Sequence, residues 1–171
     1  MVSSAHIIAA VMCIILVKGL GTCCGALADA DYDYSHFEET IIASGMAYQD
    51  AGVKAPRHEI DIAEVHDAFT ILELMHYGDL GFTSLEKAKE DVTAGTFALE
   101  GELPVNTDGG CKCFGHPIGA TGLRMLYEVY KQLQGKAGPR QAKKADIGLT
   151  HNIGGTPGSY VCAVCILGRR D

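Results

Sequence analysis

Residues 113–122 read Cys113-Phe114-Gly115-His116-Pro117-Ile118-Gly119-Ala120-Thr121-Gly122, a histidine and a proline set between glycines just ahead of a helical run. Gly115 permits close backbone approach, while Pro117 fixes φ and stiffens the loop beside the imidazole. The helix start that follows offers free N–H groups and the positive end of a dipole. A histidine held there can donate to a developing oxyanion or activate a thiol. A phosphate cradle is the weaker reading. No Gly-Lys-Ser/Thr follows, and Gly115, Gly119 and Gly122 do not form G-x-G-x-x-G.

Working outward, the pattern predicts strands alternating with helices. A strand near 7–18, stopped by Gly19 and Gly21, is followed by a glycine-containing loop through Asp33. Ser35 is the expected N-cap of a helix over about 36–52, with Phe37, Ile41, Ile42 and Met46 as apolar positions and Gly52 ending it. A short strand, IDIAEV, leads to His66-Asp67-Ala68-Phe69 and a helix through about Tyr77; residues 84–94 form a second, charged helix. Thr107-Asp108-Gly109-Gly110 is a turn. The long helix runs from Gly119 to about Gln134, with Leu123, Leu126, Tyr130 and Leu133 on or near one face. Strands over 146–150 and 159–167 close the chain, separated by His151-Asn152-Ile153-Gly154-Gly155. This is an α/β layered pattern.

The chain has 171 residues, 47% of them hydrophobic and 20% charged, enough for one well-buried domain. A formal charge of -7 and no basic run interleaved with aromatics argue against a nucleic-acid partner. Seven cysteines, an odd number at irregular spacing, do not form a disulfide framework, so reduced, intracellular thiols are expected. Cys162 and Cys165 have the spacing of a metal or redox pair, yet in an apolar strand they face opposite sides and read as buried thiols. The apolar segment 1–17 contains AHIIAAVMCIILV, too short to span a bilayer. It reads as a core strand; a signal-peptide core is the alternative, but no Lys or Arg precedes it.

Three polar sites fall at strand ends or helix starts: His66, His116, and His151 with Asn152. Active sites of α/β folds gather at such places. A single histidine there is often only structural. Three of them in turn-like settings favour chemistry, although spacing alone does not bring them together.

EVHDAFTILELMHYGDLGF (64–82), LPVNTDGGCKCFGHPIGATGLRMLYEVYKQLQG (103–135) and IGLTHNIGGTPGSYVCAVCIL (147–167), in that order, resemble the C-terminal half of a thiolase. The similarity is greatest to the sterol-carrier-type and archaeal acetyl-CoA acetyltransferase branch. It covers about residues 18–168 and implies a thiolase-like layered half-fold over 18–171, a mixed sheet with helices packed on it. The implied function is an acyl-CoA acyltransferase performing a Claisen condensation or its reverse, with coenzyme A thioesters as substrates and no bound cofactor or metal. The resemblance gives His116 the task of activating the nucleophilic cysteine and binding the thioester oxygen. It places His66 at the oxyanion position of the Asn-Glu-Ala-Phe motif, and Asn152 and Gly154 on the Cys-x-Gly loop. His151, Phe69, Gly115, Pro117 and Gly155 are the implied substrate-binding neighbours.

Departures from the family pattern carry equal weight. The acylated cysteine belongs to the N-terminal half, and this chain matches the C-terminal half alone. Asn152 stands where most thiolases carry the acid/base cysteine, and Ala68 where the sterol-carrier-type branch has one. Cys111 and Cys113 lie near His116, where an imidazolium or helix start can lower a thiol pKa. Implied partners are a second copy or the missing N-terminal half, and a zinc-containing acyl-CoA-binding protein or a hydroxymethylglutaryl-CoA synthase. The alternatives are a non-catalytic acyl-CoA-binding scaffold and a truncated remnant. A cytoplasmic location is expected, with peroxisome and mitochondrion left open.

Overall fold

Gly19 and Gly21, read from sequence as the stop of the first strand, lie inside it. The computed structural model describes residues 14–25 and 33–170. Strand β1 spans Ile15–Cys24; the part of the expected 7–18 strand before residue 14 lies outside the described residues. Helix α1, Glu38–Ala51, crosses β1 so closely that a Cβ on Gly19 would strike the Ala47 carbonyl, and one on Gly21 the Ala43 carbonyl. The glycines are a packing notch.

That close crossing explains which side of α1 is buried. Its inner face carries Glu39, Thr40, Ala43, Ser44 and Ala47. Of the apolar positions named from sequence, Phe37 is buried while Ile41, Ile42 and Met46 are exposed. Small side chains are what the narrow gap accepts. The N-cap position belongs to Phe37 and not to Ser35, with the Phe37 N–H donated to Asp79 Oδ2 at 2.9 Å. Gly52 ends the helix in the left-handed conformation, as expected.

After α1 come the short α2 (Pro56–Glu59), β2 (Ile62–Val65), α3 (Thr70–Asp79), α4 (Leu85–Thr93), the short α5 (Gly110–Cys113) and α6 (Thr121–Leu133), then β3 (Ile147–Gly154) and β4 (Val161–Arg169). The sheet order is β1-β4-β3-β2, with β2 parallel to β3 and the other two pairings antiparallel. Residues 149, 151 and 153 of β3 face the layer built by α1 and α3, while Gly148 lies against Val129 of α6 on the other face. The α/β reading, a mixed sheet with helices packed on it, is borne out.

Two expectations change. β3 continues through His151-Asn152-Ile153-Gly154, where the sequence suggested a turn, because Asn152 pairs with Ala163 and Gly154 with Val161. The buried face of α6 is also rotated. It carries Arg124, Glu128 and Gln132 beside Met125, Val129 and Leu133, leaving Leu123 and Tyr130 exposed. Beneath it, Arg124 pairs with Glu64 (3.4 Å) and with Asp108, while Arg140 pairs with Glu128 at 2.8 Å. Cys162 is fully buried among the α1-side core residues, whereas Cys165 packs against Val129 and Leu133 of α6, so the two thiols sit on opposite faces of β4. Among the described residues, no helix is long and apolar enough to cross a membrane.

Candidate active site

The loop between α5 and α6 presents His116. Gly115 takes φ +104, open to glycine and strained for other residues, which lets the chain reverse before Pro117. The Pro117 carbonyl accepts the Thr121 N–H (2.9 Å) and the Thr121 hydroxyl (3.2 Å), locking the first turn of α6 onto the loop. Because that hydroxyl donates to Pro117, its oxygen is left to accept from His116 Nδ1 at 2.7 Å. With the hydroxyl proton donated to the Pro117 carbonyl, the matching tautomer of His116 carries its proton on Nδ1 and leaves the lone pair on Nε2.

His66 follows β2 and is buried, with its ring centroid 5.1 Å from that of His116, edge to face. Burial, then the neighbouring His116, hold its pKa below the ordinary histidine value, while Asn152 hydrogen-bonds it in the opposing sense. Asn152 reaches this point from β3, beside Gly122 of α6. His116, Asn152 and Gly154 together line an open cleft of about 220 Å³, completed by Ile118, Ile153, Val161 and Ala163. The strands supply Asn152 and Gly154 from alternate positions of β3, with Ala163 and Val161 paired directly opposite.

The structure thus brings His116, His66, Asn152 and Gly154 to one place, with Gly115 and Pro117 forming the loop that carries His116. His151 goes elsewhere. One residue before Asn152 on a strand, it points to the other face, fully buried, with Nε2 3.0 Å from Thr40 Oγ1 and its ring 4.4 Å from that of His76. Burial pushes its pKa well down. It is a core residue on the strand face away from the cleft. Phe69, at the N-terminal boundary of α3, is exposed outside the lining of the cleft, and Gly155 begins the loop after β3.

Three residues at the site escaped the sequence reading of roles. Thr121 orients His116. Asp67 accepts the Cys111 N–H through Oδ1 at 2.7 Å, pinning the start of α5. Ala163 faces Asn152, a relationship that strand register could have revealed had β3 been extended correctly. Cys111 lies with Sγ 3.9 Å from His116 Nδ1. Burial first, and then Asp67, push its thiol up to about 11, the opposite of the activation that proximity to a histidine suggested. Cys162 is likewise pushed up by burial, to about 12.

A fixed acceptor at His116, a neutral buried imidazole at His66 and the Asn152 amide suit one kind of task. They can move a proton and hold a negative oxygen within the same small volume. Comparison with known proteins agrees with the architecture. Residues 27–169 match the thiolase C-terminal domain-like family.

The chain belongs to the thiolase C-terminal domain family.

An acetyl-CoA acetyltransferase of Methanothermobacter thermautotrophicus is 40% identical over 156 residues, covering 91% of this chain and 40% of that protein. Sterol carrier protein 2 of Homo sapiens is 36% identical over 118 residues, covering 69% of this chain and 21% of that protein. In fold, the chain resembles the Ltp2-ChsH2(DUF35) aldolase at TM-score 0.71 and 23% identity, over 87% of this chain and 38% of that one. It also resembles a monomeric SCP2-thiolase like protein from Mycobacterium smegmatis at TM-score 0.61 and 14% identity, over 90% of this chain and 29% of that one. This thiolase C-terminal domain therefore spans well under half the length of these relatives.

Proposed function

We propose that the chain is the C-terminal half of a thiolase-type acyl-CoA acyltransferase, which works with an N-terminal half that supplies the nucleophilic cysteine. The observation that carries this reading is the His116–Thr121 contact beside His66 and Asn152. It leaves Nε2 as an acceptor at the cleft, the form needed to take a proton from a thiol. His66 and Asn152 are the donors for the thioester oxygen as an enolate or tetrahedral intermediate forms, an interaction for which one donor is worth roughly 3–4 kcal/mol of barrier. Acyl-CoA is the substrate class and needs no bound cofactor. Two further partners fit this reading: a second copy of the chain, and a small zinc-containing acyl-CoA-binding protein; a partner subunit of some kind is in line with the printed name of the Ltp2-ChsH2(DUF35) neighbour. A cytoplasmic setting suits the free thiols among the described residues.

The test is reconstitution. The purified chain is assayed for thiolysis of acetoacetyl-CoA alone, and then with the N-terminal part of the Methanothermobacter relative added as a separate polypeptide. Negligible turnover alone, and turnover in the mixture that His116→Ala abolishes, is the expected result. Robust turnover by the chain alone, removed by Cys111→Ser, would overturn the assignment of the nucleophile.

One observation favours a second reading, a non-catalytic acyl-CoA-binding scaffold. Asn152 and Ala68 occupy the two positions where a thiol acid/base is expected, and the nearby Cys111 is held protonated. Coenzyme A binding without turnover in the reconstituted mixture is the outcome that selects it.

A further inference from the structure

His66, Cys111 and His116 each bring one ligand atom to a common point, and these atoms all lie within 4.8 Å of one another. Two imidazoles and a thiol form a borderline-soft donor set of the type that takes zinc. Tetrahedral bonds of about 2.0–2.1 Å to nitrogen and 2.3 Å to sulfur require ligand atoms about 3.3–3.6 Å apart. Cys111 Sγ and His116 Nδ1, at 3.9 Å, already approach that spacing. Side-chain rotation closes the remaining gap, at most about 1.5 Å.

A second observation points the same way. His66 is buried, and its Nδ1 has no hydrogen-bond partner. Such a nitrogen costs stability unless something satisfies it. Asp67 supports the third ligand by holding the Cys111 backbone N–H at 2.7 Å. The nearby Arg124 guanidinium opposes a cation here, but Asp108 pairs with it and offsets its charge. Three protein ligands leave a fourth position of a tetrahedral ion to a small molecule, and His116 stands at the open cleft with Asn152 and Gly154.

We propose that His66, Cys111 and His116 form a divalent zinc site with one open coordination position, and that metal occupancy switches off the acceptor role of His116. On binding, the Cys111 S–H bond breaks, its proton passes to solvent and a thiolate–zinc bond forms. His116 Nδ1 exchanges its bond to Thr121 for the metal, and its proton relocates to Nε2. The ring stays neutral but has no free lone pair. The metal site stands on these three residues alone, while its effect on the acceptor role of His116 rests on the proposed function.

The test uses the full chain, stripped with a chelator and kept reduced, and titrated with Zn²⁺ against a chromophoric chelator; Co²⁺ serves as the spectroscopic probe. The expected result is one equivalent bound, with a thiolate-to-cobalt charge-transfer band. Cys111→Ser should remove that band, and His116→Ala, at an exposed position where folding is not at risk, should weaken Zn²⁺ at least tenfold. Cys113→Ser should change neither. Absence of stoichiometric binding, or a band that survives Cys111→Ser, overturns the proposal.

Discussion

Thr121 Oγ1 stands 2.7 Å from His116 Nδ1 and 3.2 Å from the Pro117 carbonyl, so a single hydroxyl both closes the first turn of α6 and orients the imidazole. Thr121 is fully buried, and valine matches its shape. Thr121→Val should therefore keep the fold but release the ring. Nitrogen-15 NMR of the neutral form should find the proton on Nδ1 in the wild type and redistributed toward Nε2 in the variant. In the reconstituted enzyme, kcat should fall about 10- to 100-fold with KM little changed. A wild-type ring already protonated on Nε2 would remove the basis for a general-base His116.

His76 has zero exposure and both ring nitrogens unpaired, packed between Phe37 and His151. Burial, with a smaller contribution from His66, holds its pKa down to about 3, and His151 and His66 are also shifted down. A depressed histidine pKa means that the unfolded chain binds the proton more tightly. Stability is then full above pH ~6.5 and falls as pH drops toward 3, by about 1.4 kcal/mol per pH unit for each such histidine. Urea midpoints at pH 8, 6 and 5 should decline in that order. His76→Leu, which removes two unpaired nitrogens, should raise the midpoint and flatten the decline. An unchanged pH slope in that variant would show that the buried imidazole does not set it.

Much of this was legible in the sequence and some of it was not, for identifiable reasons. The GHPIGATG loop and its helix could be read because glycine, proline and a helix start act locally. Placing Asn152 near His116 needed the resemblance, since the two meet only through sheet register. His151 was misplaced because His-Asn-Ile-Gly-Gly has turn composition, whereas pairing with β4 keeps it extended; one residue of alternation then separates a cleft residue from a core residue. The α6 face was misread because apolar periodicity cannot anticipate a buried network that draws Arg124, Glu128 and Gln132 inward. Gly19 and Gly21 looked like breakers, since nothing in the chain announces that a helix will lie on them.

Glu64 belongs to that network, fully buried beside Asp108 and 3.4 Å from Arg124. Burial, then the Asp108 charge, push its carboxyl well above the usual range despite Arg124. A raised carboxyl pKa gives stability that is full below the unfolded value of about 4.3 and is lost as pH rises. Glu64→Gln mimics the protonated form and should change stability by no more than about 1 kcal/mol, becoming relatively more stable than wild type as pH increases. Arg124→Met leaves Asp108 without its cation and should cost about 3–5 kcal/mol. Thermal melts across pH decide it: a Glu64→Gln variant that loses ground to wild type at higher pH would mean the carboxyl is ionised in the folded protein.

Ile41, Ile42 and Met46 on α1 are exposed, and Leu16, Val17 and Leu20 of edge strand β1 are exposed too. α1 rests on β1 through the glycine notch, so the helix turns its small residues inward and its large ones outward. Exposed apolar side chains in this number are costly in water and are normally covered. The share of the relatives that this chain does not span is large enough to provide the cover, and in its absence a second copy is the available substitute. Sedimentation equilibrium of the purified chain should show concentration-dependent association. Ile42→Lys with Met46→Lys should shift it toward monomer without lowering the melting temperature by more than a few degrees, since neither side chain is in the core. The same double variant should fail to bind the N-terminal polypeptide in the reconstitution assay while leaving the His116 tautomer unchanged. A wild-type chain that stays monomeric at all concentrations, and a double variant that still reconstitutes, would together show that α1 is not the face that the N-terminal polypeptide covers.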